Sequence, residues 1–170
     1  MKMNKFPIII LLILISSVKL FSQTENTDVF ANLVNPISIT ENRVLHFGTI
    51  TVSASVAGTC IVAPTGSRTA TGGVGLANLS PTATSAAYTV SGSANLAYSI
   101  TLPTSNIVAT RQGGTETLTV NAFTSNKSGN VSVLSATSSD TFTVGATLNV
   151  SAGQVAGLYQ GNFNVTVAYN

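Results

Sequence analysis

The sequence predicts an all-β fold, an immunoglobulin-like antiparallel β-sandwich preceded by a cleaved signal helix. Three observations carry this. Apolar and polar residues alternate at period two between Gly, Asn, Ser and Pro breaks that recur about every ten residues, and helical periodicity is nearly missing after the N-terminus. Charged residues are 7% of the 170-residue chain, so neutral Ser, Thr and Asn must hydrate its surface. The C-terminal stretch Tyr159-Gln-Gly-Asn-Phe163-Asn-Val165-Thr-Val167-Ala-Tyr169-Asn170 places large apolar side chains at odd positions and mostly polar ones between them.

Met1 to Lys5 carry Lys2 and Lys5, and Phe6 to Ile15 follow without a charge, the arrangement of a signal peptide. The run is shorter than the roughly 20 residues of a membrane helix, and Lys19 interrupts its end. Cleavage is expected near Ser22 or Gln23, giving residues 1–22 as signal and 23–170 as a single domain. No cysteine follows the apolar run, which argues against a lipid anchor, and no later stretch is apolar enough to span a membrane. The expected location is secreted or cell surface, reached through the periplasm. Three of the seven basic residues (Lys2, Lys5, Lys19) leave with the signal, so four remain against five acidic ones, a net charge near −1. Without a basic patch, nucleic acid and anionic lipid are improbable partners.

Strands are expected at 37–40, 44–52, 60–62 and 68–74, then around Tyr88 and Val90, and again around Tyr98, Ile100 and Leu102. The last two groups flank 91–95 and read as a hairpin. Leu118 and Val120 mark a further strand. Phe142, Val144, Ala146, Leu148 and Val150 alternate with Thr141, Thr143, Gly145, Thr147 and Asn149, and this segment is expected to pair with the C-terminal one beyond a turn at 151–153. Each large side chain buried gains about 1.5–3 kcal/mol, so a one-residue slip of the C-terminal strand is strongly disfavoured. Pro36, Pro64, Pro81 and Pro103 fall at segment ends, where a missing N–H costs no ladder bond.

Little in the chain suits catalysis. The single histidine, His46, lies in Val44-Leu45-His46-Phe47-Gly48 and reads as a residue on the polar side of a strand, not as the base of a triad. The acids Glu25, Asp28, Glu41, Glu116 and Asp140 are scattered, and one histidine with one cysteine does not make the usual zinc site. No catalytic residue, metal or cofactor is expected, and the protein is read as a non-enzyme. Cys60, the lone cysteine, can form no internal disulfide and reads as a buried thiol. Gly72-Gly73-Val74-Gly75 has no lysine or helix after it and reads as a turn or bulge. The Asn-X-Ser/Thr matches are as many as chance gives in so Ser- and Thr-rich a chain.

Four segments carry a resemblance: Asn35-Pro36-Ile37-Ser38-Ile39, Leu45-His46-Phe47-Gly48-Thr49-Ile50, Phe142-Thr143-Val144-Gly145-Ala146-Thr147-Leu148, and Gly157 to Tyr169. The chain resembles a bacterial exported family catalogued as a domain of unknown function, and its order and ending are similar to the spore coat protein U group, which includes archaic chaperone-usher pilins. The pilin resemblance implies an incomplete sandwich whose missing edge strand comes from the N-terminal extension of the next subunit, after a periplasmic chaperone has held the edge. The donor implied here is 28–34, with Val29, Ala31 and Leu33 on one face, and the acceptor or chaperone-recognised edge is the strand of Phe163, Val165, Val167 and Tyr169. Alternatively, 29–33 folds back as an ordinary strand of its own domain. Many such pilins carry a disulfide near the first strand, and Cys60 has no partner for one.

The function expected is therefore an exported structural surface protein, a fimbrial or pilus-like subunit assembling by donor-strand exchange with identical subunits. The alternative is a monomeric surface module binding a glycan or protein through loops 65–79 or 104–114. The absence of tryptophan weakens sugar stacking. A hydrolase would need His46 beside a serine and a carboxylate.

Overall fold

The computed structural model describes residues 22–170, so the expected signal segment, apart from Ser22, lies outside the described residues. By internal contact the chain divides into Met1–Asn32 and Leu33–Asn170. The described part of the first unit, 22–32, has no strand and is exposed. The second unit holds thirteen strands and one turn of 3-10 helix, and it is an antiparallel β-sandwich, as the alternation predicts.

The strands are β1 Ser38–Arg43, β2 Ile50–Val52, β3 Gly58–Val62, β4 Arg68–Gly72, β5 Val74–Leu76, β6 Ala86–Ser91, β7 Ala97–Thr101, β8 Ile107–Arg111, β9 Thr117–Ser125, β10 Val131–Val133, β11 Ser139–Val150, β12 Tyr159–Gln160 and β13 Thr166–Tyr169. The large sheet is organised by β11. Its first half pairs with β6 and its second half with β3 along one edge, while β9 pairs along the other. From these neighbours the sheet runs outward to β1 beyond β6, to β4 beyond β3, and to β8 and β12 beyond β9. Gly145 stands where the partner of β11 changes from β6 to β3. A side chain there would overlap the Val62 carbonyl oxygen and the main chain of Ala63 and Pro64, so only glycine lets the strands come this close.

The second layer consists of β10-β7-β13 and the short pair β2-β5. Between the layers, Phe142, Val144, Ala146, Leu148 and Val150 of β11 are buried, while Thr141, Thr143, Thr147 and Asn149 are not. They divide between two clusters. One joins Phe142 and Val144 to Tyr88, Val90, Tyr98 and Ile100. The other joins Ala146, Leu148 and Val150 to Cys60, Leu118 and Val120. Leu45 and Phe123 pack against both, so the core is continuous.

Asp140 ties the layers together. Its carboxylate, on β11, accepts bonds from the Tyr98 hydroxyl of β7 at 3.0 Å, the Ser132 hydroxyl of β10 at 2.6 Å and the Lys127 ammonium at 2.9 Å, besides the Thr141 N–H. Burial pushes this carboxyl up, but the bonds from Lys127, Ser132, Tyr98 and Thr141 outweigh it and hold Asp140 below its usual range.

Two expected pairings differ from the structure. The segments around Tyr88 and Tyr98 do not form a hairpin: both edges of β6 are taken, by β1 and β11, so β7 crosses to the opposite layer. The C-terminal segment does not pair with β11, whose edges are filled by β6, β3 and β9. Instead, β12 adds to β8 and β13 to β7, so one alternating run serves both sheets. Gly161 marks the change, because a side chain there would meet the Val108 carbonyl oxygen at 2.6 Å.

Candidate functional site

The second layer does not cover the large sheet completely. Between the segment 44–50 and the run 157–163 lies a groove of about 420 Å³. Its floor is apolar: Ile107 and Ala109 of β8, Leu118 and Val120 of β9, and Leu148 of β11. One wall is the segment 44–50, the other 157–161 with Phe163. A smaller hollow of about 270 Å³, lined by Ile39, Glu41, Tyr88, Phe163, Asn164 and Val165, meets the groove at Phe163.

The walls differ in chemistry. Along 161–165, between β12 and β13, the main chain makes no hydrogen bond to any other described residue. This run keeps the burial pattern of an extended strand, with Phe163 and Val165 half-buried and Asn162 and Asn164 exposed. Phe163 packs on Phe123 with ring centroids 4.7 Å apart. Beyond it, β13 pairs with β7 along one edge and with no described strand along the other.

The 44–50 wall is bonded into the domain. Thr84 exchanges two main-chain bonds of 2.8 Å with His46, and its hydroxyl donates to the Val44 carbonyl. Arg68 donates through Nη1 to the carbonyls of Phe47 and Thr49, each at 3.0 Å, and through Nη2 to that of Ala77 at 2.9 Å. A guanidinium suits this task, since its planar fork reaches several acceptors at once. Gly48 has φ +73°, and a side chain on it would collide with the Arg68 guanidinium.

The residues named from the sequence fall into two places. Phe163, Val165, Val167 and Tyr169 are all half-buried on the inner face of the C-terminal run. The Tyr169 hydroxyl donates to the Asn35 carbonyl at 2.8 Å and accepts from the Ser93 N–H at 2.6 Å. Val29, Ala31 and Leu33 belong to no strand and are exposed, Val29 at 91% and Leu33 at 89%. His46 is half-buried in the groove wall, where its Nδ1 accepts the Gly48 N–H at 2.7 Å. Cys60 is fully buried below the same wall, its thiol 3.9 Å from the Phe47 carbonyl oxygen. Among the described residues, no group of three His, Cys, Asp or Glu could hold a metal, and no helix is long and apolar enough to cross a membrane.

Sequence reasoning missed β8, which supplies part of the floor, and Arg68. The sequence does carry a signal for the arginine: between Arg43 and Arg111 it is the only Lys, Arg, Asp or Glu. A lone charge in so neutral a stretch must find acceptors, and here they are main-chain carbonyls.

Over residues 37–169 the chain matches the family model described as a domain of unknown function, DUF4402, and it belongs to that family. No curated protein and no solved structure matches it at a significant level.

Proposed function

We propose that this protein is an exported structural subunit of the cell surface, and that residues 28–34 of one copy fill the groove of the next to build a fibre. The observation that carries this reading is the groove itself: an apolar floor open where the second layer lacks a strand, beside the unpaired main chain of 161–165. An unpaired edge beside an apolar groove is costly to leave in water and is satisfied by adding a strand. Segment 28–34 has the character to supply one. Val29, Ala31 and Leu33 alternate with Asp28, Phe30, Asn32 and Val34, and at about 3.3 Å per residue seven residues span roughly 20 Å. Donor and groove are different surfaces of one chain, so the contact is heterologous and can repeat from copy to copy. The resemblance to chaperone-usher pilins agrees with this and implies a periplasmic chaperone that shields the groove before assembly. Export rests on the basic and apolar first residues.

The rival reading, a monomeric module binding through 65–79 or 104–114, gains no aromatic platform from either loop, since neither contains Phe, Tyr or Trp. No catalytic role is assigned to His46.

The test is electrophoresis of exported protein after brief or prolonged heating in detergent. Wild type should give a ladder that collapses to monomer on prolonged heating, and Val29→Asp with Leu33→Asp should give monomer throughout. A wild type without a ladder in any exported fraction overturns the reading.

A further inference from the structure

The two walls are unequal in a way that decides how an occupant is held. Within 44–49, the carbonyls of Val44, His46, Phe47 and Thr49 accept bonds from Thr84, Arg68 and Ala77, and the N–H groups of His46 and Gly48 donate. Only Leu45 keeps both main-chain groups without a partner among the described residues, so no run of consecutive residues is left open. Arg68 locks this state, because moving the wall to pair with a new strand would strip its guanidinium of main-chain acceptors inside a half-buried site. The turn at Gly48 further interrupts any regular ladder there. On the opposite side, five consecutive residues, 161–165, leave their main chain unpaired, and 162–165 keep the burial alternation of a strand. In an extended strand these groups point sideways within the layer, towards its neighbours.

Resting on the reading that a strand from another copy fills the groove, we propose that this strand hydrogen-bonds along one edge alone, to 161–165, and meets the 44–50 wall through side chains only. Binding would then extend β13 backwards through Phe163 to Gly161 and add the occupant to the β10-β7-β13 sheet as an outer strand. The Arg68-held wall would limit the width of the slot and take no share of the ladder. The N–H groups of alternate strand residues face opposite edges, so one alternate set in 28–34 would be bonded and the other idle.

Backbone N-methylation reads this directly. The acceptor is the full chain carrying Val29→Asp, Ala31→Asp and Leu33→Asp, which disables its own segment and leaves the groove untouched. Three synthetic peptides covering residues 26–36 are compared by calorimetry: unmodified, N-methylated at Val29, Ala31 and Leu33, and N-methylated at Phe30, Asn32 and Val34. The expected result is binding by the unmodified peptide, loss of at least about 30-fold in one methylated series, and a change within about 3-fold in the other. Hydrogen exchange on the same complex should protect amides in 161–165 and leave those in 44–49 unchanged. Comparable losses in both series, loss in neither, or new protection across 44–49 each overturn the one-edge inference while leaving strand addition standing. If the unmodified peptide does not bind, strand addition fails and the inference falls with it.

Discussion

Replacing Asp140 with alanine should destabilise the domain far more than removing any one of its donors. The Tyr98 side chain is fully buried, so without the carboxylate its hydroxyl keeps no acceptor and costs about 1–3 kcal/mol. Lys127, with 21% of its side chain accessible, and the half-buried Ser132 hydroxyl can both turn to water, together adding about 1 kcal/mol. The sum is about 2–4 kcal/mol. Tyr98→Phe instead leaves Asp140 with bonds from Lys127, Ser132 and Thr141 and should cost about 1 kcal/mol. In the double variant the buried Tyr98 hydroxyl is gone and only the half-buried Ser132 hydroxyl loses its partner, so the two costs should fall short of additivity by about 1–2 kcal/mol. Urea unfolding measures all three: with a slope of about 2 kcal/mol/M, Asp140→Ala should lower the midpoint by about 1–2 M. The direction of the Asp140 shift adds a pH test. The folded carboxyl lies below its ordinary 3.8, so its stabilisation is complete above that value and is lost as pH falls through the folded pKa. Asp140→Asn should therefore show a shallower loss of stability below about pH 4 than wild type. Strict additivity in the double variant, or the same acid limb in wild type and Asp140→Asn, would refute the reasoning.

At the alkaline end, burial first of all pushes both Tyr88 and Tyr98 up to about 12 from 10.0. Their neutral forms stabilise the fold fully below pH 10, and this is lost as pH rises from 10 towards 12. Urea midpoints should fall across that interval, and less so in Tyr88→Phe with Tyr98→Phe. Burial also raises the Cys60 thiol, against a smaller lowering by Arg68, so labelling by an aromatic disulfide should wait on unfolding and accelerate with urea in step with the unfolded fraction. Fast labelling in native buffer would contradict its burial. Gly145→Ala should cost about 3 kcal/mol or more, seen as a large drop in melting temperature, because β11 and β3 must part to admit the methyl group. Gly113→Ala has open space and only a positive φ to strain, and should cost about 1 kcal/mol.

The inner and outer faces of the strands were legible residue by residue. Phe142, Val144, Ala146, Leu148 and Val150 are buried as the alternation requires, and Phe163, Val165, Val167 and Tyr169 all turn inward. Period-two patterning records which face meets water, and that is a local property of the chain. It does not record which strands are neighbours. Tyr88 and Tyr98 lie ten residues apart yet sit in opposite layers, because both edges of β6 are filled by strands remote in sequence. The same limit hid the groove. Its floor comes from β8, β9 and β11 and its walls from 44–50 and 157–163, and only their assembly leaves a gap in the second layer. By itself the sequence determined a β-sandwich, its buried faces and an apolar alternating segment ahead of it. The tertiary structure alone decided that 161–165 stays unpaired while Arg68 holds the Phe47 and Thr49 carbonyls of the wall opposite, since hydrogen bonding between distant segments depends on where the packed core brings them together.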